Sequence, residues 1–261
     1  MNFYRYVFVG GLHRSGTSPL VQMIEDLPDV SGIRDAPVPE REGVYLQGAI
    51  PHTAQHGMPM HFATDPAQHH IEGSLYDTLD TRERLEADWT PWFAPNSRWR
   101  AEKSPVNLTR TRLYQQLFPL SQFVLILRHP QAVYGAVSKW VGMDRESSVD
   151  HWLAAHDTVA QDINHLHHVM VIRYEDLVAD PWRYRRAIAA FLQVDPGERD
   201  EARLTDRNGT YPGWDMPERQ KAALERWGYG DDMATTRFRP GVRHALNSVA
   251  TQVQRELGLD P

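Results

Sequence analysis

The stretch Tyr6–Ile24, YVFVGGLHRSGTSPLVQMI, restricts the possible fold more than any other part of the chain. Residues Arg5 to Val9 are apolar and β-branched or aromatic after the leading arginine, and Gly10 and Gly11 end the run, so they read as a buried strand. Pro19 then suits a first helical turn, and Leu20, Met23, Ile24 and Leu27 recur at helical spacing before Pro28. Strand, glycine loop and helix in succession make an anion cradle, because loop amides and the helix N-terminus direct unpaired N–H groups at one point. From Gly11 to Ser18 the frame is Gly-x-x-x-x-Gly-x-Ser, a phosphate-binding loop in every respect except that Thr17 stands where a lysine is expected.

The rest of the chain predicts an α/β architecture around this unit. Strands are expected at Ser97 to Ala101, Gln122 to Leu127 and Val169 to Arg173. QFVLIL lacks alternation, as a parallel strand covered on both faces should. Helices are expected over Pro105 to Phe118, after Pro130, over Val149 to His167, and at the end from Val242 to Leu257. The alternation implies a three-layer α/β fold with a central parallel sheet, right-handed crossovers and helices on both faces. Residues 1–261 read as one domain, with a proline-, histidine- and aromatic-rich insertion over about 36–96 that covers the sheet's carboxyl edge, and a polar, arginine-rich segment over about 196–261.

Composition narrows the function classes. A net charge of −6 argues against a general nucleic-acid or anionic-membrane surface, so an anion site has to be a local set of arginines and backbone amides. With no cysteine there is no disulfide framework, thiolate metal site or cysteine nucleophile. The N-terminal apolar run is too short for a signal-peptide core, and no apolar stretch approaches the roughly 20 residues of a membrane span. A soluble cytoplasmic protein without a nucleic-acid partner is expected; its oligomeric state is not legible.

The missing lysine decides which chemistry the loop supports. A nucleoside-triphosphate enzyme needs that lysine and, after an apolar strand, an aspartate that holds magnesium. Here QFVLIL is followed by Arg128. Arginine and hydroxyls replace lysine and metal: Arg14, Ser15, Thr17 and Ser18 in the loop, Arg128 at the strand end. A sulfuryl group carries less negative charge than a transferring phosphoryl group, so hydrogen bonds without a metal suffice, which points to sulfate transfer.

Four motifs in order carry a resemblance: HRSGTS after the first strand, EKSPVNLTR from Glu102 to Arg110, LRHPQAV from Leu127 to Val133 with Lys139 and Trp140 behind it, and IRYEDLVADP from Ile172 to Pro181. Over about the first 195 residues the chain resembles the bacterial sulfotransferases, enzymes of P-loop-like fold that use 3′-phosphoadenosine 5′-phosphosulfate (PAPS). The resemblance implies that Arg14, Ser15, Gly16, Thr17 and Ser18 cradle the 5′-phosphosulfate. It implies that Arg128 holds the 3′-phosphate, for which a guanidinium fork is well shaped, and that Lys103 neutralises the leaving oxygen. The family places a serine eight residues after the arginine, where this chain has Ala136; Ser138 is the nearest hydroxyl, about 200° around the helix.

Deprotonating an acceptor hydroxyl calls for a carboxylate or histidine within reach. Candidates are Glu42, Glu40 and Asp35 in RDAPVPEREGVYLQ, where PEREG resembles the family's PE-x-EG pattern, and His13 beside the loop. Each carboxylate could equally solvate a loop, and His13 could pack beneath one. His52, His56, His61, His165, His167 and His168 lack the spacing of a metal motif, so no metal is expected. Trp89, Trp92, Trp99 and Phe93 are candidates for the wall of an acceptor site or for core, and Tyr174 and Glu175 fall at the sheet's carboxyl edge. Arg237 and Arg239 are candidates for closing over the 3′-phosphate. The acceptor hydroxyl belongs to a small molecule, lipid or carbohydrate, with a peptide tyrosine also open; the alternatives are an atypical nucleotide kinase and a nucleotide-binding protein without catalysis.

Overall fold

A computed structural model describes residues 4–199 and 204–259. Six strands form one sheet: β1 (Arg5–Gly10), β2 (Val30–Gly32), β3 (Trp99–Lys103), β4 (Gln122–Leu127), β5 (Val169–Arg173) and β6 (Gly241–Arg243), in the order β2-β3-β1-β4-β5-β6. The first five are parallel, and β6 joins the edge antiparallel to β5. The glycine-loop strand is therefore central, and Val9 pairs with Lys103 on one side while Gly10 pairs with Leu125 on the other.

Because side chains alternate across a strand, the sheet feeds two cores. Tyr6, Phe8, Phe123 and Leu125 face a layer that includes helices α2 (Leu79–Trp89), α3 (Thr111–Leu117), α4 (Pro130–Val137), α5 (Arg145–Asp162) and α8 (Glu218–Glu225). Val7, Val9, Val124 and Ile126 face the layer of α1 (Thr17–Glu25), α6 (Tyr174–Ala179), α7 (Pro181–Leu192) and α9 (Asn247–Glu256). The chain leaves β1 toward the α1 layer and β4 toward the α4 and α5 layer, which opens a crevice between the two carboxyl ends. Among the described residues no helix is long and apolar enough to cross a membrane.

Several element boundaries depart from the sequence-based expectation. The strand expected over 97–101 runs from Trp99 to Lys103, which puts Lys103 at its carboxyl tip. The helix expected over 105–118 divides into a 3₁₀ turn, Pro105–Thr109, and α3. The long helix starts at Arg145, because the Asp144 carboxylate caps it by accepting from the Ser147 N–H, and it ends at Asp162. Residues expected to open the last helix instead form β6. β2, with three residues, is too short to show a period, and α2 is too polar to show an apolar stripe.

The insertion is a series of single turns followed by α2, fastened to the end of β3. Glu102, fully buried, accepts from the Gly43 N–H at 3.0 Å and from Asn107 Nδ2 at 2.6 Å. Ser104 Oγ accepts from the Val44 N–H at 3.0 Å, and Trp89 Nε1 donates to the Gly43 carbonyl at 2.9 Å. Glu102→Ala leaves the Gly43 N–H unpaired and takes one acceptor from Asn107 Nδ2, which keeps the Val9 carbonyl, and should destabilise the protein by about 1–3 kcal/mol, with amide exchange accelerating first at Gly43 and its neighbour Val44. Equal protection at those amides in the variant would show that the segment is held otherwise.

Candidate active site

The loop from β1 into α1 is shaped by contacts that only glycine permits. A Cβ on Gly11 would lie 2.6 Å from the Ile126 carbonyl oxygen, and one on Gly16 would lie 2.5 Å from the Tyr174 ring. Gly16 also has φ of 96°, a conformation that costs glycine little. Arg14 takes φ of 66° and turns outward. Gly16 is the N-cap of α1 and no side chain caps the helix, so its first N–H groups remain available at the crevice.

These residues border a cavity of about 460 Å³. His13, Arg14, Gly16, Thr17 and Ser18 line one wall, Glu40, Glu42 and Pro105 a second, and Arg128, Tyr174 and Arg207 a third, with Trp140 beside them. Of the residues expected at the site, Ser15 and Lys103 sit behind this lining, both buried. Asp35 and Ser138 are exposed and lie outside the lining, so the structure does not bring them to the cavity. Ser138 caps the carboxyl end of α4, which turns it away from Arg128 as the helical period implies.

Glu42 and Lys103 form a buried ion pair, with Nζ 3.0 Å from Oε1 and side chains 4% and 9% exposed for Lys103 and Glu42. Burial pushes the Glu42 carboxyl up to about 7, and the opposing pull of the Lys103 ammonium does not cancel it. His13 is held down to about 4 by burial and by the nearby Lys103 and Arg14 charges, so it is neutral near pH 7. Its Nδ1 is buried without a hydrogen-bond partner. Glu40 is exposed and accepts from Ser18 Oγ at 3.5 Å.

Arg128, at the tip of β4, is 5% exposed. Its Nε donates to Asn208 Oδ1 and its Nη1 to the Arg14 carbonyl, both at 2.8 Å, while Nη2 is buried with no partner. The guanidinium lies over the Tyr174 ring at 4.5 Å. Tyr174 is tied down by donating to the Thr205 carbonyl at 3.2 Å and accepting from the Arg207 N–H at 3.3 Å. Arg128 Nη2, Ser15 Oγ and His13 Nδ1 are thus three unpaired buried polar atoms around one cavity. That donor-rich set fits an anionic ligand.

Other expectations fall differently. Trp89 and Trp99 are fully buried and Phe93 nearly so; they pack in the cores and wall no cavity. Arg237 and Arg239 are exposed and outside the lining, and the segment that covers Arg128 is instead Leu204 to Tyr211. Sequence reasoning missed Asn208, Arg207 and Glu102. The first two lie in a polar stretch without periodicity, and Glu102 is one residue before a lysine that attracts attention. Trp140, 51% exposed with the Arg14 guanidinium 5.8 Å from its ring, was visible only as part of a motif.

The model of the sulfotransferase family matches residues 6–198. No curated protein sequence matches the chain. Among solved structures, the chain is similar to sulfotransferase STF9 from Mycobacterium avium, with 14% identity, a TM-score of 0.50, and coverage of 99% of this chain and 76% of that one. It is also similar to a sulfotransferase from Alicyclobacillus acidocaldarius, with 15% identity, a TM-score of 0.48, and coverage of 98% and 97% respectively. The family match spans most of the chain and includes the loop, Lys103, Arg128 and Tyr174, so this protein belongs to the sulfotransferase family, with its P-loop-like α/β fold.

Proposed function

We propose that this chain moves a sulfuryl group from PAPS to an acceptor hydroxyl, without a metal, at the cavity between β1 and β4. The observation that carries the residue assignment is Arg128: a buried guanidinium that lines the cavity, keeps one nitrogen unpaired, and rests on neutral acceptors alone. Such a group is suited to a phosphate, and it stands where a nucleotide kinase would need a magnesium ligand. Arg14, Ser15, Gly16, Thr17 and Ser18 would hold the phosphosulfate through loop amides and hydroxyls, and Arg128 the 3′-phosphate. PAPS supplies an activated sulfuryl group whose departure leaves a phosphate.

The chain's own groups would then do two tasks. Lys103, behind the loop, would stabilise the negative charge on the leaving phosphate oxygen. Glu42 would take the acceptor's proton, because it lines the cavity and its raised pKa lies near neutrality. His13, neutral and unpaired at Nδ1, is the second candidate for that proton, and Glu40, exposed at the rim, is the third. The acceptor is a hydroxyl of a small molecule, lipid or carbohydrate. Its approach would be from the side of Glu40 and Trp140, since the aromatic residues of the insertion are committed to the core. The absence of cysteine is compatible with a cytoplasmic setting.

Titration of 3′-phosphoadenosine 5′-phosphate (PAP), calorimetrically and with a chelator present, tests the donor assignment. Wild type should bind, and Arg128→Ala should weaken binding by roughly 10- to 100-fold, the loss of a charge-assisted contact. Failure of wild type to bind would remove the PAPS reading.

The base assignment predicts a pH profile. Turnover should rise with pH through about 7 as Glu42 loses its proton. Glu42→Gln should lower kcat by about 10²- to 10⁴-fold, and Lys103→Ala should move the acid limb upward by removing the adjacent cation. A limb that persists unchanged in Glu42→Gln would transfer the role to His13.

The same shift has a stability consequence of fixed sign. The folded state holds the Glu42 proton more tightly than the unfolded chain, so this contribution is complete below the ordinary value of 4.5 and is lost as pH rises through about 7. Thermal melting should show a decline over that window that Glu42→Gln flattens.

A further inference from the structure

Arg128 has a carboxylate close by and yet does not pair with it. Glu175, the residue after Tyr174, is turned toward the same corner of the crevice. Its Oε1 accepts from the His129 N–H at 3.0 Å and from Asn208 Nδ2 at 2.7 Å, and its Oε2 accepts from the Tyr229 hydroxyl at 3.0 Å. Asn208 stands between the two charges: Oδ1 accepts from Arg128 Nε at 2.8 Å while Nδ2 donates to Glu175. The amide is 8% exposed and is set by its own backbone, whose N–H donates to Asp206 Oδ1 at 2.9 Å and opens the 3₁₀ turn Asn208–Thr210. Tyr211, at the end of that turn, packs on Gly135 of α4, where a Cβ would lie 2.5 Å from its ring, and its ring is 5.7 Å from the Arg128 guanidinium.

From this arrangement we infer that Asn208 is a positioning residue that insulates Arg128 from Glu175. An arginine paired directly with a carboxylate would be neutralised, and an anion would have to displace that partner before binding. An amide avoids this because its oxygen accepts from the guanidinium while its nitrogen donates to the carboxylate. Both partners are satisfied, the charges stay one residue apart, and Nη2 is left unpaired at the cavity. Glu175 in turn already accepts from His129, Tyr229 and Asn208, which occupies three of its roughly four lone-pair sites and holds it away from the guanidinium. The segment Leu204 to Tyr211 is then a part of the donor site supplied from beyond the first five strands, although it lies outside the matched family region of residues 6–198.

This inference rests on the PAPS reading, and the test separates the two. PAP affinity and thermal stability are measured on the full chain for wild type, Arg128→Ala, Asn208→Asp and the double variant Asn208→Asp/Glu175→Gln. Asn208→Asp puts one new carboxylate against both Arg128 and Glu175; it should weaken PAP binding by about tenfold or more, the cost of a competing ion pair, and lower the melting temperature. In the double variant the amide and the carboxylate have exchanged places: the introduced glutamine can donate to the introduced aspartate and still accept from Tyr229, only the His129 N–H loses its acceptor, and the melting temperature should rise above that of Asn208→Asp because the carboxylate repulsion is gone. Binding should stay weak, because Arg128 is now directly paired.

Recovery of affinity together with stability would overturn the inference and leave Asn208 a structural residue. So would Asn208→Asp binding like wild type. If Asn208→Asp does not fold, the double variant alone carries the comparison with wild type. Absence of PAP binding in wild type would instead overturn the donor reading on which this one stands.

Discussion

The crevice exists because two segments of backbone come closer to their neighbours than any side chain would allow. Gly11 sits against the Ile126 carbonyl and Gly16 against the Tyr174 ring, so the loop after β1 is pressed onto the tips of β4 and β5. That contact fixes the distance between the anion-binding N–H groups of α1 and the arginine at the end of β4. It also sets Tyr174 as the floor on which the Arg128 guanidinium lies. A Cβ at either position would push the two halves of the site apart.

On the proposed function, this frame has to meet with its own side chains an electrostatic requirement that a metal-dependent phosphoryl enzyme meets with magnesium. Positive charge has to be concentrated beside a chain that is acidic overall, and it has to be buried without being cancelled. The two buried cations at the cavity, Lys103 and Arg128, are treated in opposite ways. Lys103 is paired with Glu42, and the pair remains titratable because burial opposes the carboxylate's charge. Arg128 is held by a backbone carbonyl and an amide, both neutral, and keeps its full charge. One cation is thus coupled to a titratable carboxylate, and the other, on the proposed function, is left to pair with the donor's phosphate.

The sequence disclosed the parts of this design that depend on local chemistry. A strand, two glycines and a helical period determine the loop, and QFVLIL followed by arginine determines the opposite wall, because these patterns are contiguous. What stayed illegible depends on contacts between distant segments. Asn208 is 80 residues from Arg128 and lies in a stretch with no period, and Glu102 holds Gly43 across 59 residues. The insertion's tryptophans could not be assigned to core or cavity from spacing alone, since both uses need large apolar surfaces. Ser138 and Asp35 drew attention by chemical type, and the geometry of α4 and of the loop before Glu40 leaves them outside.

The short antiparallel strand β6 looks at first like an accessory. It covers the free edge of β5, the strand whose last residue, Arg173, precedes Tyr174, and Arg173 Nη1 also donates to the carbonyls of Gly228 and Thr236. An uncovered edge of VMVIR would be an apolar template for another chain. Residues 228–243 are thereby fastened to the strand whose tip carries Tyr174, so the cover of the sheet edge and the platform under Arg128 share one mechanical support.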